Sequence, residues 1–273
     1  MQQLQQLQTV HFEVPGGLRI TGDVMGPVDG PPVVLLHGGG QTRGSWKNSI
    51  ETLAVIGYRG YSIDARGHGD SDRSPDGDYT PDAFRSDLLE IIRQIGAPAC
   101  SHRGGPGVAR GLVLVDVAAR TNPYGVARIQ AFMRSNPEGF ASVDEAADAV
   151  ARYAADRPRP ASTKGLERNL RKREGRYFWH WDERFLDSWH PSHRAALHRL
   201  ENAARNLTIP VLMVHAAQSD VLGQEEVDHL RTLVPQAEYV RVENAGHMVV
   251  GDKNSAFNEA ILNFLDRHEF LSK

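Results

Sequence analysis

Hydrophobic positions along this chain follow two rhythms. Near the start they alternate. Thr9–Val14 and Leu18–Val24 each place apolar and polar residues on opposite sides, with Pro15-Gly16-Gly17 between them. Alternation on both sides of a turn signal predicts a β-hairpin with one buried face. Further on, apolar residues run without interruption. Val33-Val34-Leu35-Leu36 and Leu112-Val113-Leu114-Val115 are rich in β-branched side chains and end in turn-type or polar residues. Such runs predict strands covered on both faces, as inside a parallel sheet. Gly60–Asp64, Pro210–His215 and Ala237–Val242 add further strands. Between them, apolar residues recur with helical spacing over Arg43–Ile56, Pro81–Ile95, Glu225–Leu233 and Ser255–His268. Thr80 stands at the N-cap of the second helix, Pro81 at its first position, and Gly96 just past its end; these are start and stop signals with a physical basis. The alternation of strand and helix predicts an α/β fold, a mostly parallel, doubly wound sheet with helices on both faces.

The pattern changes between residues 118 and 207. This region is rich in Ala and Arg, its periodicity is mainly helical, and Ser142 to Glu145 forms a capping-box signature. Its aromatics, among them Phe132, Phe140, Trp179, Trp181 and Trp189, are crowded together. We expect a helical cap at 118–207, inserted into a core made of 1–117 and 208–273. The run Arg171-Lys172-Arg173 reads as a solvated face.

Composition narrows the function. A net charge of −3 offers no basic surface for nucleic acid or an anionic membrane. No apolar run approaches the roughly 20 residues of a membrane span. The single cysteine, Cys100, permits no internal disulfide, and the Gln-rich start is not a secretory signal, so a cytoplasmic location is expected. A small molecule is the expected partner, and no pattern specifies an oligomeric state. Metal and nucleotide sites are poorly supported. His68-x-Asp70 and His190-x-x-His193 lack the companions of a tetrahedral zinc site. Gly39–Ser45 has P-loop glycines without the phosphate-gripping lysine, and Gly104–Gly111 follows no strand, so no cofactor is expected.

Four motifs then fall into order: His37-Gly38-Gly39 after the third strand, Asp64-Ala-Arg-Gly-His-Gly-Asp-Ser-Asp72 after the fourth, Asp220 past a late strand, and Asn244-Ala-Gly-His247 before the last helix. Together they resemble the α/β-hydrolase superfamily, in its capped esterase, haloperoxidase-like and epoxide-hydrolase-like branches. The resemblance spans nearly the whole chain. It implies His247 as general base and Asp220 as the acid that orients it. The alternative acid is Asp116, which ends a strand and suits the branch that places its acid there. The resemblance also implies oxyanion-hole donors at Gly39 and Gly38, a bracing role for 64–72, and a substrate pocket at His37, Phe132, Trp179 and Trp181.

One family motif is missing. A nucleophile elbow, small-x-nucleophile-x-small, belongs between a central strand and the next helix. Strand, turn and helix together need about 25 residues. Only 97–111 are available, and they contain no apolar strand. Ser101 is followed two residues on by Arg103, and Cys100 is flanked at that distance by Pro98 and His102. Neither suits a strained turn packed close to its neighbours. We therefore assign no nucleophile and expect the central strand and the helix after it to be missing. With that strand gone, Val33–Leu36 and Leu112–Val115 are expected to close up and pair directly. By resemblance the chain is a serine-hydrolase-type enzyme for a small apolar ester. The alternative is an inactive member that binds a small ligand.

Overall fold

The computed structural model describes residues 6–96, 100–101, 106–154, 159, 162–188, 194–247 and 254–271. Several features singled out above lie outside these residues: the first five positions, 97–99 and 102–105 of the elbow interval, Trp189, His190 and His193.

Two blocks of sheet make up the core. In the first, β1 (Gln8–Val14) and β2 (Leu18–Met25) form the expected hairpin, with Val14 opposite Leu18. β2 pairs antiparallel with β4 (Arg59–Ile63), and β4 pairs parallel with β3 (Pro32–Leu36), giving the order β1-β2-β4-β3. The second block is parallel throughout: β11 (Glu238–Val242), β10 (Val211–Ala216), β7 (Leu112–Val115). Every residue of β10 is buried, as its apolar run requires of a strand covered on both faces.

The expected closure of β3 onto β7 does not occur. Among the described residues no strand pairing joins them, and β5 (Cys100–Ser101) and β6 (Pro106–Gly107) pair only with each other. Helix packing explains why the blocks stay apart. A 3₁₀ turn, Arg43–Trp46, leads into α1 (Lys47–Val55), which packs on α8 (Asn254–Arg267). Trp46 meets Phe257 with ring centres 5.8 Å apart, and Ser49 Oγ donates to Asn258 Oδ1 at 3.0 Å. One buried cluster runs from Leu35, Ile50 and Leu53 in the first block to Leu212, Val214, Phe257 and Phe264 in the second. Sliding the strands together would drive α1 into α8, and a close-packed interior resists such overlap.

The remaining core helices follow their signals. In α2 (Pro81–Ile95), Thr80 Oγ1 accepts the N–H of Ala83 at 3.3 Å, and Gly96 closes the helix at φ +69°. Arg66 and Asp87 form a buried two-pronged ion pair at 2.6 Å that ties α2 to the loop after β4. Helix α7 (Gln224–Leu233) buries Val227, Leu230 and Leu233 beside β10.

The region expected to be a helical cap holds α3 (Pro123–Met133), α4 (Val143–Tyr153), α5 (Lys164–Glu167), a hairpin and α6 (Arg194–Arg205). The hairpin, β8 (Leu170–Arg173) with β9 (Arg176–Trp179), was not apparent from periodicity, because β8 carries three cations in four residues. The basic run is also not an idle solvated face. Arg171 reaches out of the cap to donate to Gly69 O at 2.6 Å and to pair with Asp70 at 2.7 Å. The cap aromatics build a core of their own. Trp179 stacks on Trp181 at 5.0 Å, and Phe132 stacks on Tyr153 at 4.4 Å. Among the described residues no helix is long and apolar enough to cross a membrane.

Candidate active site

The second sheet block builds one half of the site. Asp116 follows β7 directly and is fully buried. Its backbone sits at φ +50°, a left-handed conformation that Asp tolerates better than most residues. That turn carries its carboxylate across the ends of β10 and β11. There Oδ1 accepts the N–H of Ala216 at 3.0 Å, and Oδ2 accepts both Ser219 Oγ at 2.6 Å and His247 Nδ1 at 2.7 Å. With Nδ1–H so engaged, Nε2 of His247 is the nitrogen left to act as a base. Ser219 was not identified from the sequence. It sits in the tight turn after β10, where its Oγ also accepts the N–H groups of Val221 and Leu222 at 3.1 Å. A Ser-Asp pair just after a strand is the available signal.

Asp220 does not hold His247. Its carboxylate is half-exposed and pairs with Arg128 of α3 at 2.8 Å. The start of α3 draws the 220–222 loop that way: Asn122 N donates to Val221 O at 2.8 Å, and Gly125 lies so close that a Cβ would fall 2.1 Å from Asp220 O. The alternative acid, Asp116, therefore takes the place expected of Asp220.

The first block supplies the other half. His37, Gly38, Gly39 and Gly40 turn sharply off β3. Gly40 has φ +75°, and a Cβ there would meet Met133 Cε at 3.3 Å and Trp181 at 3.6 Å, so the loop packs directly against these two side chains. The N–H groups of Gly38 and Gly39 donate to nothing among the described residues, and both glycines are exposed. Exposed N–H groups in such a turn are open to solvent or to a ligand oxygen.

Three histidines brace this loop. His37, expected in the pocket, instead has both nitrogens engaged, with Nδ1–H on Gly38 O at 2.8 Å and Nε2 accepting from Ala65 N at 3.0 Å. His68 donates from Nδ1 to Arg66 O at 3.1 Å and accepts from Gly40 N at 3.3 Å. His180, from the cap, accepts from Gly69 N at 2.8 Å and donates to Gly40 O at 3.3 Å. The rings lie 5.2 and 5.8 Å apart in sequence. Each ring accepts an N–H through one nitrogen, so each must be neutral. Burial is the main cause that pushes all three down, His37 to about 4, His68 to about 3 and His180 to about 2.

The 64–72 stretch acts as a brace. Buried Asp64 accepts the N–H of Arg43 at 2.7 Å and of Asp70 at 3.0 Å, and pairs with the Arg43 guanidinium. Gly69 permits this, since a Cβ there would fall 2.1 Å from Asp64 Oδ2.

Of the expected pocket aromatics, Trp179 and Trp181 belong to the buried core of the 118–207 region and also line a cavity of about 490 Å³, whereas Phe132 packs against that core and does not line the cavity. Arginines 73, 134, 173 and 184 share that lining.

The family model for the alpha/beta hydrolase family matches residues 33–260, and the chain belongs to that family. It is 29% identical over 259 residues to a Mus musculus protein named sn-1-specific diacylglycerol lipase ABHD11, covering 86% of this chain and 81% of the relative. It is 26% identical over 221 residues to N-formylmaleamate deformylase of Pseudomonas putida, covering 76% and 78%. Among solved structures, E-2-(acetamidomethylene)succinate hydrolase superposes with a TM-score of 0.78 at 20% identity, over 96% of this chain and 100% of that one. The fold is the α/β-hydrolase fold, and the chain is an enzyme by family.

Proposed function

We propose that this chain is a hydrolase-family protein that keeps its acid–base pair, His247 with Asp116, but has no nucleophile for it to activate. It binds a small ester or a related acid beneath the cap and turns it over far below the rate of a complete serine hydrolase. The supporting observation is the pairing of His247 with Asp116 at 2.7 Å, with no hydrogen bond from a serine or cysteine to His247 among the residues whose side chains are described. The composition of 97–111 supports the same reading, since no segment there has the character of a strand and elbow. Losing a nucleophile costs several orders of magnitude in turnover, leaving about 10³–10⁴-fold over water from the oxyanion donors and binding. The single cysteine and neutral-to-acidic charge balance support a cytoplasmic small-molecule binder rather than a nucleic-acid partner.

Mass labelling with a serine-directed fluorophosphonate tests this reading. We expect no stoichiometric attachment. One modified serine per chain, lost when His247→Gln is introduced, would overturn the proposal and establish a working nucleophile.

A further inference from the structure

The cavity beside the candidate site has an unbalanced set of polar groups. Of its four arginines, two are already neutralised: Arg184 pairs with Asp182 at 2.7 Å and Arg134 with Asp187 at 3.1 Å. The other two have no carboxylate at ion-pair distance among the described residues. Arg73 is half-buried, and its one hydrogen bond is to the backbone oxygen of Trp181 at 3.1 Å. Arg173 lies over the ring of Phe178 at 5.9 Å. A third donor joins them. The Nε1–H of Trp179 is buried with no acceptor, and Trp179 is only 8% exposed. A buried donor left without a partner is costly, and native interiors seldom keep one without a reason. One carboxylate, Glu183, lies in the lining unpaired, and it is exposed.

Apart from the exposed Glu183, the spare groups are two guanidinium ions and an indole N–H, all donors. The wall beside them is the stacked pair Trp179 and Trp181, with planes 13° apart. We propose that this cavity is a binding site for an anionic small molecule, a carboxylate or phosphate group carried on an aromatic or apolar body. The anion takes the Arg73 and Arg173 guanidinium groups and the Trp179 N–H, and the body lies along the two indoles. Guanidinium forks match the geometry of both oxyanions. A volume of about 490 Å³ accommodates a small organic ligand. The charge imbalance is visible at Arg73 itself: burial first, then the like charges of Arg173 and Arg184, push its pKa below the ordinary arginine value, against the pull of Asp182. A bound anion would reverse that. Met133 and Trp181, which line the cavity, also pack close to Gly40. The inference concerns binding and stands whether or not the chain turns over an ester.

Tryptophan fluorescence of the full chain, titrated with benzoate, phenyl phosphate and benzyl alcohol, tests it. The expected result is saturable quenching by one or both anions and none by the neutral alcohol. Saturation by benzoate alone identifies a carboxylate site, and by phenyl phosphate alone a phosphate site. Arg73→Met and Arg173→Met should each weaken binding about tenfold or more, the loss of a charge-assisted contact. Arg173 is exposed at the end of β8, so its variant keeps the fold even if the Arg73 variant does not. Glu183→Gln should tighten binding. The proposal is overturned by benzyl alcohol binding as tightly as the anions, by wild-type affinity in folded Arg173→Met, or by no saturation with either anion up to about 10 mM.

Discussion

Acidification should unfold this protein in a window set by three histidines. His37, His68 and His180 are each neutral in the folded state, held at about 4, 3 and 2 chiefly by burial. The charged groups around them do not rescue the protonated forms. Asp64 and Asp182 pull His68 upward, but His37 opposes them, and Arg171 lowers His180 further. Unfolded, all three return to the ordinary value of about 6.5. Their folded values are depressed, so the stability they contribute is fully present above pH 6.5. It is lost as pH falls through that value toward the folded ones, because the unfolded chain then binds protons that the folded chain refuses. From about pH 7.5 to about pH 5.5, each histidine favours the unfolded state by ~1.4 kcal/mol, and the three together by ~4 kcal/mol. Domains of this kind have about 5–15 kcal/mol in total, so the loss is large.

Urea unfolding curves at the two pH values, followed by circular dichroism, would measure it. The expected result is a fall of ~4 kcal/mol in unfolding free energy, with His180→Gln reducing the pH-dependent part by about a third. Asp182 does not confuse this window. Although burial pushes Asp182 up, its bonds from Arg184 and Tyr79 hold it at about 2, so its own loss comes at much lower pH. A stability that stays flat down to about pH 4.5 and only then falls would place the transition on carboxylates and refute the histidine argument.

Two further outcomes follow. Asp116→Asn should change the imidazole ¹⁵N shifts of His247 by replacing the carboxylate that fixes its tautomer with a neutral amide, whereas Asp220→Asn should leave them unmoved; the reverse pattern would restore Asp220 as the orienting acid. Asp87→Ala should cost about 3–5 kcal/mol in urea unfolding, because it leaves the Arg66 guanidinium buried without its partner; a loss under about 1 kcal/mol would mean the pair is far more solvated than its burial indicates.

Local chemistry made much of this fold readable. Val33–Leu36 and Leu112–Val115 were recognisable because covered strands leave unbroken apolar runs, and α2 because Thr80, Pro81 and Gly96 each do one job at a helix end. The acid was harder. Asp116 and Asp220 both follow strands, and the choice between them depends on a left-handed turn at 116 and on Arg128, nearly a hundred residues from Asp220 in sequence. The β8–β9 hairpin was hidden because its outer face is cationic rather than alternating. His180 carried no local signal at all. Its partners, Gly40 and Gly69, lie 140 and 111 residues away, so only the packed cap brings them together.

The arrangement of the described strands in two blocks bears on the candidate site in a specific way. Asp116, Ser219 and His247 all stand at the ends of β7, β10 and β11, within one block of paired strands. Gly38 and Gly39 stand at the end of β3, in the other. In a continuous sheet, backbone hydrogen bonds would fix the base against the oxyanion donors. Here, among the described residues, that relation rests instead on side-chain packing, through Trp46 on Phe257 below and His180 with Met133 above. Packed side chains hold position less strictly than a strand ladder, and a misplacement of about 1 Å at a reaction centre can cost about 100-fold in rate. Among the described residues, the placement of His247 relative to Gly38 and Gly39 therefore depends on that side-chain packing.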